Sequence, residues 1–185
     1  MNAGVNTYRI INVMRMAKAD QVVDLEEVKR RFATATKLYR GRLEMIVMRM
    51  SNGRNVQMFR GGRIQILGKL SHDIAQEMMN EFLHRLRMVK KMENVRVTSL
   101  QIRNMVVSFH LKTDICLQKI AESDSKLSYD VELFPAALLR KWHPVHIAVF
   151  HNGKVIITGL KSLSHVNEIL NSLQHFLRES HLYAE

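Results

Sequence analysis

Residues 148–162 read AVFHNGKVIITGLKS, and residues 57–71 read QMFRGGRIQILGKLS. Each stretch is a short apolar strand ending in phenylalanine, a glycine-bearing turn, and a second strand that runs to another glycine. That is the pattern of a tight β-hairpin, and Asn152-Gly153 is a strong turn signal. The two differ mainly in their floor residues: Gln65 stands where the later hairpin has Ile156.

The two hairpins keep register over a long distance. Phe59 to Phe150, Gly62 to Gly153 and Gly68 to Gly159 are each 91 residues apart, and Asn12 in IIN lies 92 from Asn104 in IRN. Chance hairpins would not hold an offset of 91 or 92 across four landmarks. The chain therefore reads as an internal duplication with pseudo-twofold organisation, 8–92 forming the first repeat and 93–178 the second.

Each half follows one plan. The first opens with a strand, TYRIINVMRM, then a short helix, DLEEVKRRF, with capping-box spacing between Asp24 and Glu27 and with Leu25, Val28 and Phe32 on one side. LEMIVMRM, VQMF and RIQILG read as strands. A helix over SHDIAQEMMNEFLHRLRMVKKM follows, capped by Ser71, with Ile74, Met78, Phe82, Leu86 and Val89 as its inner stripe and Lys90 and Lys91 at its C-terminal end. The second half has a long strand, VTSLQIRNMVVSFHLK, a short helix, TDICLQKIA, and an irregular element, YDVELFPAALLRK. Pro135 disfavours a central strand there. The hairpin VHIAVF/KVIITG and a helix from about Ser164 to Leu177 complete it, with Val166, Ile169, Leu170, Leu173, Phe176 and Leu177 inward.

The strands are apolar on both faces. Ile147 and Val149 oppose Ala148 and Phe150; Val155 and Ile157 oppose Ile156 and Thr158. Two long helices cover one face. Helices, a second copy of the chain, or a wide anionic ligand would each serve for the other.

Bulk properties narrow the class. The 185 residues suit one domain or two small lobes, and no apolar run has membrane-spanning length. With no signal-peptide core, the mature protein is expected to begin near Met1. The lone Cys116 excludes an internal disulfide and a thiolate metal site, and indicates a reducing compartment. Of the formal net charge of +11, residues 1–92 carry 18 Lys or Arg against 8 Asp or Glu, a net of +10, and residues 93–185 carry 10 against 9, a net of +1. That balance favours a polyanion, although solubility or an acidic partner would use it too.

No chemistry assembles. GGRIQILGKL departs from a phosphate loop because five residues separate Gly62 from Gly68 and Leu70 follows Lys69. His143, His146 and His151 lack a completing Cys or carboxylate pair. Cys116 reads as core filler, and Asp20, Asp24, Glu26 and Glu27 read as a turn and a cap. Catalytic residues, metal ligands and cofactors are therefore assigned as none, and the chain is expected not to be an enzyme.

YDVELFPAALLRK followed by AVFHNGKVIITGLKS resembles the second repeat of the TATA-box-binding protein family. The carriers are ELFP, the NGK turn, and ITG with a following Lys. The first repeat fits in order: IIN at 10–12, IVMRM at 46–50 and MFRGGRIQILG at 58–68, so the resemblance runs from about Tyr8 to Leu177. It implies an α+β saddle: a curved ten-stranded antiparallel sheet with four helices on the convex face. The concave face would lie in a widened minor groove of double-stranded, A·T-rich promoter DNA.

The resemblance also implies roles. Asn12 and Asn104 match the central asparagines. Phe134 and Phe150 match the wedge phenylalanines of the second repeat; in the first, Phe59 matches one and Leu43 replaces the other. The floor would comprise Met14, Gln57, Gln65 and Leu67 in the first repeat, against Val106, Ala148, Ile156 and Thr158 in the second. Gln65 would either alter sequence preference or mark a half that reads DNA less. The first-half arginines 40, 42, 49, 54, 60 and 63 would add phosphate attraction. Glu132 and Leu133 match a contact for a general initiation factor, and the polymerase machinery is the wider partner. The site of action would be the nucleus, or the site of viral transcription for a virus-encoded factor. Two other classes remain open: an interaction module on this scaffold that no longer grips DNA, and a single-strand binder.

Overall fold

The computed structural model describes residues 8–111, 114–119, 127–130, 132–139 and 142–179. Contacts divide the chain into two compact units, Val13–Arg103, and Met1–Asn12 with Asn104–Glu185. In chain order the elements are β1 (Arg9–Lys18), α1 (Leu25–Arg31), β2 (Ala35–Arg40), β3 (Leu43–Arg49), β4 (Asn55–Phe59), β5 (Arg63–Gly68) and α2 (His72–Leu86). They continue with β6 (Gln101–His110), β7 (Leu127–Ser128), β8 (Ala136–Leu139), β9 (His146–Phe150), β10 (Lys154–Leu160) and α3 (Leu163–Glu179). The fold is α+β, and the strand pairings described within each unit are antiparallel.

In the first unit the strands lie in the order β2-β3-β4-β5-β1. Residues 35–40 were not expected to form a strand. Of the side chains described there only Ala35 is buried, so apolar alternation gives no signal, and pairing with β3 fixes the segment. Asp24 caps α1, its Oδ1 accepting from the backbone N–H groups of Glu26 and Glu27 at 3.0 and 3.2 Å. Leu25 and Val28 are buried as expected, and Phe32 is partly buried against the core.

Ser71 caps α2 as expected, Oγ accepting from Ile74 N–H at 3.2 Å. The inner stripe differs by one position at its start: Ala75, Met78, Met79, Phe82 and Leu86 are buried, while Ile74 is 40% exposed. The helix ends at Leu86, so Lys90 and Lys91 lie beyond it and His84 and Arg85 occupy the last turn. Val89 and Met92 still reach the core from the following turns. Glu81 ties α2 to the β3–β4 turn, accepting from the Ser51 N–H and hydroxyl. Burial pushes its carboxyl up, but these bonds and Arg85 hold it below the usual carboxylate range.

In the second unit the order is β6-β10-β9-β8-β7. Of the expected TDICLQKIA helix only residues 117–119 are helical: Asp114, Ile115 and Cys116 precede the turn in non-helical backbone, and residues 113, 120 and 121, like Val131, Arg140 and Lys141, lie outside the described residues. Cys116 precedes that turn and is half-buried rather than core, where Ile115 and Leu117 sit instead. On α3, Val166, Ile169, Leu170, Leu173 and Leu177 are buried. Phe176 is half-buried and meets Trp142 edge-on at 5.7 Å.

The two hairpins close identically. Gly62 N–H donates to Phe59 C=O at 2.9 Å with φ 83°, and Gly153 N–H to Phe150 C=O at 3.0 Å with φ 76°. Left-handed backbone at that turn position selects glycine. A Cβ on Gly62 would also stand 2.8 Å from Gln21 O and 3.0 Å from Ala19 O. One residue breaks the core pattern. Arg15 alternates with Val13 and Ala17 on the buried face of β1, 5% exposed, and its Nε and Nη1 have no hydrogen-bond partner. Burial lowers its pKa.

Gly62→Ala is expected to cost about 2 kcal/mol or more, from left-handed strain plus the carbonyl clash. Gly61→Ala, which meets nothing within 4 Å, should change stability by less than about 0.5 kcal/mol in urea denaturation. Arg15→Met should raise stability by about 1–3 kcal/mol by removing unpaired buried polar atoms; unchanged or lower stability would show that the guanidinium is compensated.

Candidate nucleic-acid interface

Strand alternation gives each unit a second, open face. In the first unit β4 buries Val56 and Met58 and leaves Gln57 and Phe59 half-buried opposite them; β5 buries Ile64 and Ile66 and leaves Gln65 half-buried and Leu67 38% exposed. Antiparallel register lines these residues up. Thr36, Val47, Gln57, Gln65 and Met16 form one continuous row across β2, β3, β4, β5 and β1. Leu67 pairs with Met14 beside that row, and Phe59 pairs with Met45 on its other side. Leu43, at the start of β3, is 49% exposed. Asn12 and Met14 are half-buried on the alternate positions of β1 from Val13.

The second unit repeats the layout. Ser108, Ile156, Ala148 and Leu138 form the equivalent row across β6, β10, β9 and β8. Asn104 and Val106 are half-buried on β6, as is Thr158 on β10. Phe150 pairs with Ala136, and its ring lies 6.1 Å from that of Phe134, which is 43% exposed. Asp130 builds the turn before Phe134: its carboxylate accepts from Glu132 N–H, and its backbone C=O from Leu133 and Phe134 N–H. Glu132 is exposed there, and Leu133 is 83% exposed. The floor, asparagine, phenylalanine and Leu43 positions singled out from the sequence thus lie on the open faces, with Phe134, Glu132 and Leu133 on or beside this turn.

Three features escaped sequence reasoning. First, a cation overlies each hairpin phenylalanine: Arg63 Cζ is 4.0 Å from the Phe59 ring centroid and Lys154 Nζ 5.9 Å from that of Phe150. These two cations are themselves 91 residues apart; the repeat offset would have paired them. Second, Asn104 Oδ1 accepts from Gly159 N–H at 2.8 Å, where β10 bulges between Ile157 and Leu160. An N–H can bond only the oxygen end, so the Asn104 NH₂ is left as a donor. Third, Met16, Lys18, Arg63, Thr98, Gln101 and Arg103 line an open cleft of the first unit, gathering three cations. Not all first-half cations are so placed: Arg60 pairs with Glu44 at 3.4 Å, and Lys37 pairs with Glu26 and Glu44.

Among the described residues no group of three or more His, Cys, Asp or Glu could hold a metal ion, and no helix is long and apolar enough to cross a membrane. Each open face combines apolar floor, outward amides, ringed edges and cations. Such a surface fits a wide ligand that is anionic at its margins and has hydrogen-bond acceptors at its centre.

Comparison with known proteins gives one answer. The profile of the family described as "Transcription factor TFIID (or TATA-binding protein, TBP)" matches residues 7–89 and 99–180. The chain is 23% identical over 171 residues to the TATA-box-binding protein-like 1 of Entamoeba histolytica, covering 91% of this chain and 78% of the relative. It is 27% identical over 173 residues to the TATA-box-binding protein of Methanocaldococcus jannaschii, covering 92% and 93%. Against that of Schizosaccharomyces pombe it is 28% identical over 142 residues, covering 75% of this chain and 60% of the relative. Among solved structures, Methanococcus jannaschii TBP superposes with a TM-score of 0.76 at 27% identity, over 93% of this chain and 98% of that one.

The Asn104–Gly159 bond separates scaffold from ligand roles. Asn104→Ala should lower stability by about 1–2 kcal/mol in urea denaturation. Asn104→Asp keeps an acceptor for Gly159 and should retain most of that stability while removing both outward donors.

Proposed function

Because the chain belongs to the TATA-binding protein family, with its DNA-binding role in transcription, we propose that it binds promoter DNA through the minor groove, bends it and helps assemble an initiation complex. Members of this family are not enzymes. In this reading the repeats, residues 8–92 and 93–178, act together as a saddle whose ten-stranded curved sheet covers the groove.

The observation that carries the reading is the doubled open face, with amide, floor and phenylalanine recurring at a fixed offset. The minor groove offers A·T and T·A pairs as nearly symmetric acceptors, so a duplicated protein can address both halves of a site. Asn104, its oxygen held by Gly159, donates to O2 or N3 acceptors, and Asn12 serves the equivalent step. Met14, Gln57, Gln65 and Leu67 in one repeat, and Val106, Ala148, Ile156 and Thr158 in the other, press on sugars and base edges. Phe134 and Phe150, and Leu43 and Phe59, wedge between steps. Unstacking costs several kcal/mol and the buried floor offsets it, a mechanism for which TATA-binding proteins are themselves the established example. Arg63 and Lys154 sit beside the wedges, where they neutralise phosphates as the rings insert. Leucine at position 43 stacks less well than phenylalanine, so the first-repeat kink is the shallower one.

Glu132 and Leu133, exposed on the turn before the wedge, suit a general initiation factor, with the polymerase machinery beyond it. The site of action is the nucleus, or the site of viral transcription if a virus encodes the chain.

Mobility-shift competition should favour an A·T-rich duplex over one that is G·C throughout, and circular permutation should show a bend. Equal affinity without bending would instead identify an interaction module. Phe150→Ala should reduce the bend while leaving the thermal midpoint within a few degrees. Asn104→Asp should weaken binding about tenfold or more, since a donor becomes an anion facing acceptors.

A further inference from the structure

The open-face rows of the two units match position by position except in their chemistry. Gln57 faces Gln65 across β4 and β5; at the matching positions Ala148 faces Ile156 across β9 and β10. One repeat therefore lays two adjacent primary amides where the other lays a methyl and a branched alkyl group. Neither glutamine is buried in the core. Both are half-buried on the open face, between Val47 on one side and Met16 on the other. One Gln65 N–H lies 3.8 Å from Met16 Sδ. Thioether sulfur is a weak acceptor, and the contact orients the amide while leaving its carbonyl oxygen as an acceptor.

An acceptor on the floor is the wrong chemistry for A·T pairs, whose minor-groove edges show acceptors only. It is the right chemistry for guanine, whose N2 amino group is the one donor in that groove. An alkyl floor strips water from that amino group without replacing the lost bond, which is unfavourable. An amide oxygen supplies the bond, and the neighbouring amide can donate to the cytosine O2 of the same pair. Two adjacent amides can thus satisfy both groups of one G·C pair.

We infer that Gln57 and Gln65 make the first repeat a reader of guanine. The preferred duplex is asymmetric, with a G·C pair beneath this amide pair and A·T pairs beneath the second repeat. The inference rests on the minor-groove reading proposed above. It also supplies an orientation signal that a symmetric A·T floor lacks, because only one of the two dockings places guanine against the amides.

The test separates the two claims. A single G·C pair is moved step by step through one half of an A·T duplex, and each duplex is compared with its inosine counterpart, which lacks only the 2-amino group. At one step the wild-type protein should bind guanine about tenfold more tightly than inosine. Gln57→Ala with Gln65→Ile, which copies the second-repeat pair, should abolish or reverse that preference at an unchanged thermal midpoint. Conversely, Ala148→Gln with Ile156→Gln should let a duplex with a G·C pair in both halves bind. Inosine binding as tightly as guanine at every step overturns the inference while DNA binding stands. So does a guanine preference that survives in the folded double variant. If that variant does not fold, the wild-type guanine–inosine comparison decides alone. Failure to retain any duplex of the series, the all-A·T one included, overturns the minor-groove reading itself and this inference with it.

Discussion

A strand that gives every second residue to a core has no choice about the others: they occupy the opposite face. In-register antiparallel pairing then gathers them into rows. Most of the open face depends on this constraint. Val56, Met58, Ile64 and Ile66 are essentially inaccessible to solvent, so Gln57 and Gln65 must lie together on the open side. A one-residue slip would drive both amides into the apolar core and expose four core side chains. The turn closed by Gly62 sets that register, and its counterpart at Gly153 sets the same one in the second repeat. Turn geometry thus decides which residues a ligand can meet.

Within this shared frame the repeats have diverged unequally. The second keeps an apolar floor and a pair of touching phenylalanine rings. The first has Gln57 and Gln65 where the second has Ala148 and Ile156, has Leu43 91 residues before Phe134, and holds nearly all the net positive charge. Its cations are not a uniform field. Lys37 and Arg60 are tied to acids, whereas Arg63 lies over Phe59 and lines a cleft with Lys18 and Arg103. Attraction is therefore concentrated at the strand ends that line this cleft rather than spread over the unit.

Much of this was legible in the sequence, because the strongest signals were local or periodic. Both hairpins, the cap at Ser71, the face of α3 and the open-face positions follow from turn chemistry, cap residues and alternation. What was not legible depends on partners distant in sequence. Residues 35–40 carry no apolar alternation and become β2 only by pairing with β3. The stripe of α2 starts at Ala75 rather than Ile74, a rotation set by what the helix packs against and not by its own spacing. The bond from Gly159 to Asn104 spans 55 residues and arises from a bulge that sequence does not announce. Alternation along β1 places Arg15 on the inner face with Val13 and Ala17, but its guanidinium gives no sequence signal that the position is buried without a partner.

The core of the first unit is unusual in its side chains as well. Met48, Met50, Met58, Met78, Met79 and Met92 are all buried in one cluster, whereas Met105 is the buried methionine of the second unit among the described residues. Unbranched thioethers repack easily around altered neighbours, which fits a repeat whose floor has drifted. They also bring a chemical liability. A sulfoxide oxygen placed on any of the six would put a polar group in an apolar interior. Oxidants reach these sulfurs only during transient opening. Each opening of the first unit under oxidising conditions therefore risks a covalent record that refolding alone does not erase, whereas the second unit, with Met105 as its buried methionine among the described residues, has less to oxidise.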